Sequence, residues 1–161
     1  FRAKGLAMKR ANLANIAVQD KMAEIYGREK YGDLMIYDAL ICNKDRHLGN
    51  FGYLTDNNTG AYLQPAPIFD NGFSLLYGAA KNDMENLEAY ISSLSGKYMN
   101  FDTAVRLFIR PEHIPGMRKL LNFHFLKHPK YNVANATLDK MSQFIQLRAK
   151  RILSLYREKS I

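Results

Sequence analysis

Cysteine is almost absent from this chain: Cys42 is the single example, so no internal disulfide can form and a cytosolic setting fits best. Cys42 ends an apolar run with helical spacing, which predicts a small buried residue rather than a reactive thiol. The sequence also has no apolar run approaching the roughly 18 residues that cross a membrane. It has no charged-then-apolar leader segment at its start. We therefore expect neither a disulfide scaffold nor a membrane span.

Acidic residues are scarce in the second half of the chain. Residues 1–80 hold 9 Lys and Arg against 8 Asp and Glu, whereas residues 81–161 hold 14 against 7. The net charge of +8 therefore lies mostly in the second half. This half can face a polyanion such as nucleic acid or a membrane surface, or it can be an ordinary solvated helical surface, which we favour. The last predicted helix carries much of this charge, on Arg148, Lys150, Arg151, Arg157 and Lys159.

Apolar residues make up 47 % of the chain, and their spacing predicts a mainly helical domain with one small β-hairpin. Strands are predicted over 51–55 and 61–64, joined by a turn of Asp, Asn, Thr and Gly. Residues 73–100 have few periodic signals. No internal repeat or linker divides the chain, which indicates one domain. Helices are predicted over 6–26, 31–42, 102–109, 111–123 and 136–158.

The loop after the second predicted helix carries the residue types of a phosphoryl-transfer site. It reads Asn43-Lys44-Asp45-Arg46-His47-Leu48-Gly49-Asn50, and Ile68-Phe69-Asp70-Asn71-Gly72 follows the hairpin. The hairpin can bring Asp70 back beside Asp45 and Asn50. Magnesium prefers hard oxygen ligands, so Asn50 and Asp70 are the predicted ligands of a magnesium ion that carries ATP phosphates. Asp45 would accept or position the substrate hydroxyl.

Each of these three residues can also be an ordinary loop-former, because Asp and Asn are common in turns. A lone Asp followed five residues later by Asn would be a weak signal. The combination is more specific: an apolar helix, a short loop with D-x-H-x-x-N, a hairpin, and then an Asp after two apolar residues. This order of elements favours a phosphotransferase.

Residues 31–77 resemble the catalytic core of HipA-like Ser/Thr protein kinases. The loop of that family is close to N-x-D-x-H-x-x-N, and its metal-binding Asp follows a Pro-apolar-aromatic stretch. The second motif matches Pro67-Ile68-Phe69-Asp70. The first motif matches at Asn43, Asp45, His47 and Asn50. The run Asp45-Arg46-His47-x-x-Asn50 is also similar to the loop of phosphoinositide 3- and 4-kinases.

The resemblance implies a mostly helical, protein-kinase-like C-terminal lobe that uses ATP and Mg²⁺ to phosphorylate a protein substrate. Asp45 would be its catalytic Asp, and Asn50 and Asp70 its metal and cofactor ligands. In the phosphoinositide kinases the matching His aids catalysis, so His47 is a catalytic candidate; the alternative, which we favour, is a His that bonds the loop backbone. Arg46 can pair with an acidic or phosphorylated group, or hold the loop.

A kinase places a glycine-rich loop and a strand Lys before this catalytic loop. The first 42 residues are predicted to form two helices and contain no G-x-G-x-x-G, and no predicted strand carries Lys4, Lys9, Lys21 or Lys30. The resemblance therefore implies that residues 1–161 form a single C-terminal lobe without its N-terminal lobe. That lobe would lie outside this fragment or come from another polypeptide.

The alternative function is a non-catalytic binding module, a pseudokinase relative that uses its basic half to hold nucleic acid or a regulatory protein. HipA-like proteins are often associated with a DNA-binding antitoxin, so the resemblance implies an antitoxin-like partner.

Two further predictions concern residues outside the loop. His124 and His128, four residues apart, could share a metal ion, although the Glu of H-E-x-x-H is missing. The other is autophosphorylation in the predicted activation segment, at Ser92, Ser93 or Ser95.

Overall fold

The computed structural model describes residues 3–5, 16–131 and 133–159. The mainly helical fold class predicted from the sequence is confirmed. The strands are β1 (Ala3–Gly5), β2 (Gly52–Thr55) and β3 (Tyr62–Pro65). A short 3₁₀ turn covers Pro111–His113. The helices are α1 (Ile16–Tyr26), α2 (Arg28–Ile41), α3 (Lys81–Glu85), α4 (Leu87–Ser93), α5 (Phe101–Phe108), α6 (Ile114–Leu120) and α7 (Asn135–Lys159).

The predicted hairpin is present as β2 and β3, and it belongs to a larger antiparallel sheet with the order β1-β2-β3. Ala3 lies opposite Leu54, and Tyr53 lies opposite Pro65. The prediction that Lys4 lies outside any strand is therefore wrong. β1 has three residues, too few for an alternating pattern to be visible in the sequence. Residues 6–15 of the predicted first helix lie outside the described residues.

The predicted helix over 111–123 is also wrong in its extent. The 3₁₀ turn occupies Pro111–His113, and α6 ends at Leu120. Proline explains the break, since Pro115 has no N–H and its ring would clash with the carbonyl four residues earlier in a continuous helix. In the structure Pro115 lies in the first turn of α6, where no intrahelical N–H bond is needed.

Helix α2 packs against α1, α5 and α7 and is the element that joins two hydrophobic clusters. The larger cluster combines the second half of α2 with α4, α5, α6 and α7, and Phe144 and Ile152 of α7 are fully buried in it. The smaller cluster holds Tyr31 of α2 with α1 and Phe51. Because both clusters fix α2, the loop that leaves its C-terminus starts from a defined position. No described helix is long and apolar enough to cross a bilayer.

Candidate active site

The candidate loop begins where α2 ends. Cys42 terminates the helix in the left-handed conformation, with φ 51°, and its N–H donates to Asp38 O. Its side chain is fully buried, as the sequence predicts. Positive φ also occurs at Asp70 within the second motif, at 57°, and at Leu75 shortly after it, at 55°. Such conformations cost free energy and persist where the surrounding structure imposes them, often at functional sites.

Asn43 connects the two motifs through its buried side chain, which is 1 % exposed. Its Nδ2 donates to the carbonyl oxygen of Asp70 over 3.4 Å, and its Oδ1 accepts from the Asp45 N–H over 3.1 Å. The two backbones also meet where the Lys44 N–H donates to Phe73 O over 3.0 Å. The predicted return of Asp70 to the loop of Asp45 is therefore present in the structure.

Arg46 makes the largest set of contacts in the loop. Its Nε and Nη2 each donate to the Asp38 carboxylate over 2.8 Å, and both side chains are 6 % exposed. Its Nη1 donates to the carbonyl oxygens of Asn50 and Phe69, each over 2.7 Å. Its Nη2 also donates to Asn71 Oδ1 over 2.7 Å. Arg46 thus holds the loop, the second of its predicted roles, and contacts both neighbours of Asp70.

The ion pair between Asp38 and Arg46 is buried, and burial and pairing affect the Asp38 carboxylate in opposite ways. Burial raises the pKa of Asp38, and the hydrogen bonds from Arg46 act in the opposite direction. A bidentate Arg–carboxylate pair fixes both distance and orientation. The pair therefore sets where the guanidinium lies, and the guanidinium sets where Asn50 and the backbone around Asp70 lie.

The three predicted site residues differ in exposure. Asn50 is 3 % exposed, and its Nδ2 donates to the backbone oxygen of Asp45 over 3.2 Å. That contact uses the amide nitrogen, so the side-chain oxygen of Asn50 is the atom suited to a hard cation. The Asp70 side chain is exposed, and the Asp45 side chain is 37 % exposed. These carboxylates are open to a ligand that arrives from solvent.

The donor set fits magnesium better than a metal held entirely by protein. One amide oxygen and one carboxylate suit an ion that keeps water and phosphate ligands. No cluster of three or more His, Cys, Asp or Glu suitable for a metal occurs within the described residues. The predicted metal site at His124 and His128 gains no support from His128, whose Nδ1 accepts the N–H groups of Lys130 and Tyr131.

His47 lies against the backbone of its own loop. Its Nδ1 accepts from the Gly49 N–H over 3.0 Å, as in the backbone-bonding alternative that the sequence favoured. In a neutral ring this contact leaves the proton on Nε2, which is 3.9 Å from Asp45 Oδ2. The ring therefore faces the catalytic candidate, at a distance longer than a direct hydrogen bond.

Lys97 contacts the candidate site, although no pattern in the sequence indicates it. Its Nζ donates to Asp45 Oδ1 over 2.8 Å, although 52 positions separate the two residues. This hydrogen bond holds the pKa of Asp45 below its usual range, and the positive charge of Lys97 adds to the effect. Lys97 lies in the stretch 73–100 with few periodic signals, so no local pattern marked it.

The basic face predicted for the last helix needs a correction at Arg148. This side chain is 3 % exposed, donates to Ala39 O over 2.8 Å and lies 3.4 Å from Asp102 Oδ1. The spacing explains the error, because Ile145, Arg148 and Ile152 fall on one face of a helix. Arg151 is half-exposed and forms an ion pair with Asp102 over 2.7 Å. The buried Arg148 therefore stabilises the packing of α7 on α2, whereas Arg151 adds an exposed contact to α5 that contributes little.

Comparison with known proteins gives a partial match to a kinase. Over 76 residues, or 47 % of this chain, the sequence is 37 % identical to the serine/threonine-protein kinase CtkA of Helicobacter pylori (strain J99). The match spans 23 % of the length of that protein. No protein-family profile matches the chain, and no solved structure matches it. The chain is thus similar, over part of its length, to a Ser/Thr protein kinase.

Proposed function

We propose that this chain contains the catalytic part of an ATP- and Mg²⁺-dependent Ser/Thr-type protein kinase of the HipA-like group. The observation that carries the proposal is the buried network around Arg46, which contacts Asn50 and both neighbours of Asp70. The partial identity to a serine/threonine-protein kinase supports the same class of reaction.

In this proposal each site residue has a distinct task. Asn50 and Asp70 would hold Mg²⁺, which neutralises charge on the ATP phosphates when bound. Asp45 orients the acceptor hydroxyl and receives its proton. The bond from the terminal phosphorus to the acceptor oxygen forms as the bond to the bridging oxygen of ADP breaks. Alignment of these groups supplies most of the rate, since phosphoryl transfer needs little covalent work from a protein.

Calorimetric titration of the chain with ATP, with and without Mg²⁺, tests the metal assignment. We expect magnesium-dependent binding that Asp70→Asn abolishes. Asn is the appropriate replacement because it tolerates the left-handed conformation that Asp70 adopts, so the backbone need not change. The charge-matched control is Asp139→Asn, at an exposed position of α7, which leaves binding unchanged.

Asp45→Asn separates binding from chemistry. It should not weaken magnesium-dependent nucleotide binding, but it should slow phosphoryl transfer to a protein substrate about 10²- to 10⁴-fold, the usual contribution of a positioned base. Full transfer activity in either Asp45→Asn or Asp70→Asn contradicts the proposal. Absence of magnesium-dependent binding at millimolar ATP contradicts it as well and favours a non-catalytic module.

A further inference from the structure

A short turn between α4 and α5 delivers Lys97 to the candidate site. Gly96 begins this turn, and a Cβ atom at that position would lie 2.6 Å from the carbonyl oxygen of Met99 and 3.2 Å from the ring of Phe101. Tyr98 packs against the smaller hydrophobic cluster. A cavity of about 40 Å³ separates the turn from the Arg46 network. Packing therefore fixes the position from which the Lys97 side chain extends.

The ion pair between Lys97 and Asp45 is too exposed to contribute much to the stability of the fold. The two side chains are 42 % and 37 % exposed, and pairs of this kind contribute about 0–1 kcal/mol. An anionic ligand can therefore replace Asp45 as the partner of Lys97 at small cost. The Lys97 hydrogen bond goes to Oδ1. Oδ2 of the same carboxylate lies 3.9 Å from His47 Nε2, beyond hydrogen-bond distance, and is available to a hydroxyl group.

The two neighbouring cations of the loop have other partners. Lys44 Nζ donates to Tyr77 O over 2.7 Å and lies 5.4 Å from the centre of the Tyr77 ring. The guanidinium of Arg46 is buried among Asp38, Asn50 and the second motif. Lys97, in contrast, donates to the carboxylate of Asp45, the residue proposed to orient the acceptor oxygen.

We propose that Lys97 binds the phosphate group that is transferred, at the Asp45 side of the site. This inference rests on the proposed function, since Asp45 marks where the acceptor oxygen meets the terminal phosphorus of ATP. An ammonium group is a compact point charge and a common phosphate ligand. Lys97 exchanges its contact with Asp45 for an oxygen of the terminal phosphate, and Asp45 then holds the hydroxyl.

The first test compares two nucleotides that differ in the terminal phosphate. Calorimetry measures magnesium-dependent binding of the nonhydrolysable ATP analogue AMP-PNP and of ADP to the chain. Lys97→Ala should weaken AMP-PNP binding roughly 10- to 100-fold, the size of one charge-assisted hydrogen bond, and leave ADP binding unchanged. Lys97→Arg should recover part of the loss. The charge-matched control is Lys119→Ala, at an exposed position of α6, which changes neither affinity.

A double-mutant cycle of Lys97 with Asp45 gives a second test. The effect of Asp45→Asn on AMP-PNP affinity would not depend on Lys97 if Lys97 had a purely structural role. Asp45→Asn weakens the hydrogen bond that competes with the phosphate for Lys97, so AMP-PNP binding should tighten several-fold. When Lys97 is replaced by Ala, the same Asp45→Asn change should give a smaller gain, because only the reduced charge repulsion is left. Thermal melting of each variant shows that it is folded, because loss of this exposed pair costs little stability.

The outcomes separate the two proposals. Equal AMP-PNP affinity of the wild type and Lys97→Ala, or an equal loss for AMP-PNP and ADP, overturns the role of Lys97. If Asp70-dependent magnesium binding persists in that case, the proposed function stands. AMP-PNP binding that needs Lys97 but neither Mg²⁺ nor Asp70 supports the phosphate site and contradicts the kinase assignment. No nucleotide binding by the wild type overturns both.

Discussion

At the residue scale, Arg46 determines the geometry of the candidate site more than the acidic residues do. Its guanidinium contacts Asp38 in α2, Asn50 in the loop and Asn71 in the second motif. The Asp38 carboxylate is 6 % exposed, so loss of its partner would leave an uncompensated buried charge. Breaking a buried pair in this way is far more costly than breaking an exposed one.

We expect Arg46→Met to lower the free energy of unfolding by about 3–5 kcal/mol, measured by chemical denaturation. Met has similar length but no charge, so the loss reports on the buried ion pair and its hydrogen bonds. Asp38→Leu/Arg46→Met should recover part of the loss, because it removes the charge that the single variant strands.

Arg106→Met is the matched control for this prediction. Arg106 pairs with Glu158 over 2.6 Å, but the two side chains are 49 % and 44 % exposed. Its loss should cost no more than about 1 kcal/mol. An Arg46 variant as stable as the Arg106 variant would show that the network does not hold the loop.

At the element scale, two non-helical segments place the site: the loop after α2 and the Gly96 turn before α5. The loop starts at the left-handed Cys42, and the turn ends at Asn100, whose side chain caps α5 by accepting from the N–H groups of Asp102 and Thr103. An N-cap of this type stabilises a helix start by about 1 kcal/mol. Defined helix ends on both sides restrict where Lys97 and Asp45 can meet.

Gly96→Ala should disturb the turn because the added methyl group meets the Met99 carbonyl, a backbone atom that cannot move alone. We expect a loss of about 1–3 kcal/mol in stability, typical of overpacking, together with a weaker effect of Lys97 on AMP-PNP binding. Thermal denaturation and calorimetry measure the two effects.

Gly116→Ala provides the opposite expectation. Gly116 lies in α6, and a Cβ atom there would meet no neighbour within 4 Å. The higher helix propensity of Ala should then raise stability by up to about 1 kcal/mol. If the two glycine variants behaved alike, close packing at Gly96 would not be the reason for its effect.

At the scale of the whole molecule, the two hydrophobic clusters meet along α2, and the larger one encloses Cys42 completely. Burial raises the pKa of the Cys42 thiol from its ordinary 9.0 to about 11. The folded state thus favours the neutral thiol. Its contribution to stability is complete below about pH 9 and declines as the pH rises toward about 11, since the unfolded thiol ionises first.

Cys42 should therefore report global unfolding. Near pH 8, labelling by a thiol reagent such as DTNB should be slow in native buffer and should accelerate with denaturant in proportion to the unfolded fraction. Cys42→Ala/Thr103→Cys, with a thiol on the exposed face of α5, should label rapidly at all denaturant concentrations. Rapid labelling of the wild type without denaturant would mean that the larger cluster does not enclose this residue.

Much of the fold could be predicted from the sequence because its signals are local. The final helix was predicted over 136–158 and occupies Asn135–Lys159, since its apolar spacing extends over many turns. The hairpin was predicted within a residue or two because turn-forming residues separate two apolar runs. The short β1 and the break before Pro115 were missed. β1 depends on pairing with β2, and the break depends on a single proline, so neither leaves a long pattern in the sequence.

The sequence by itself determined the chemistry of the loop, because Asp45, Asn50 and Asp70 are hard oxygen donors in any conformation. The tertiary structure alone decided which groups surround them. Arg46 was predicted only as one of two alternatives, and its partners are brought together by the packing of α2 against the second motif. Lys97 reaches Asp45 through a turn fixed by close contacts at Gly96. Contacts between positions far apart in a chain depend on how its elements pack, and a local pattern carries no record of that packing.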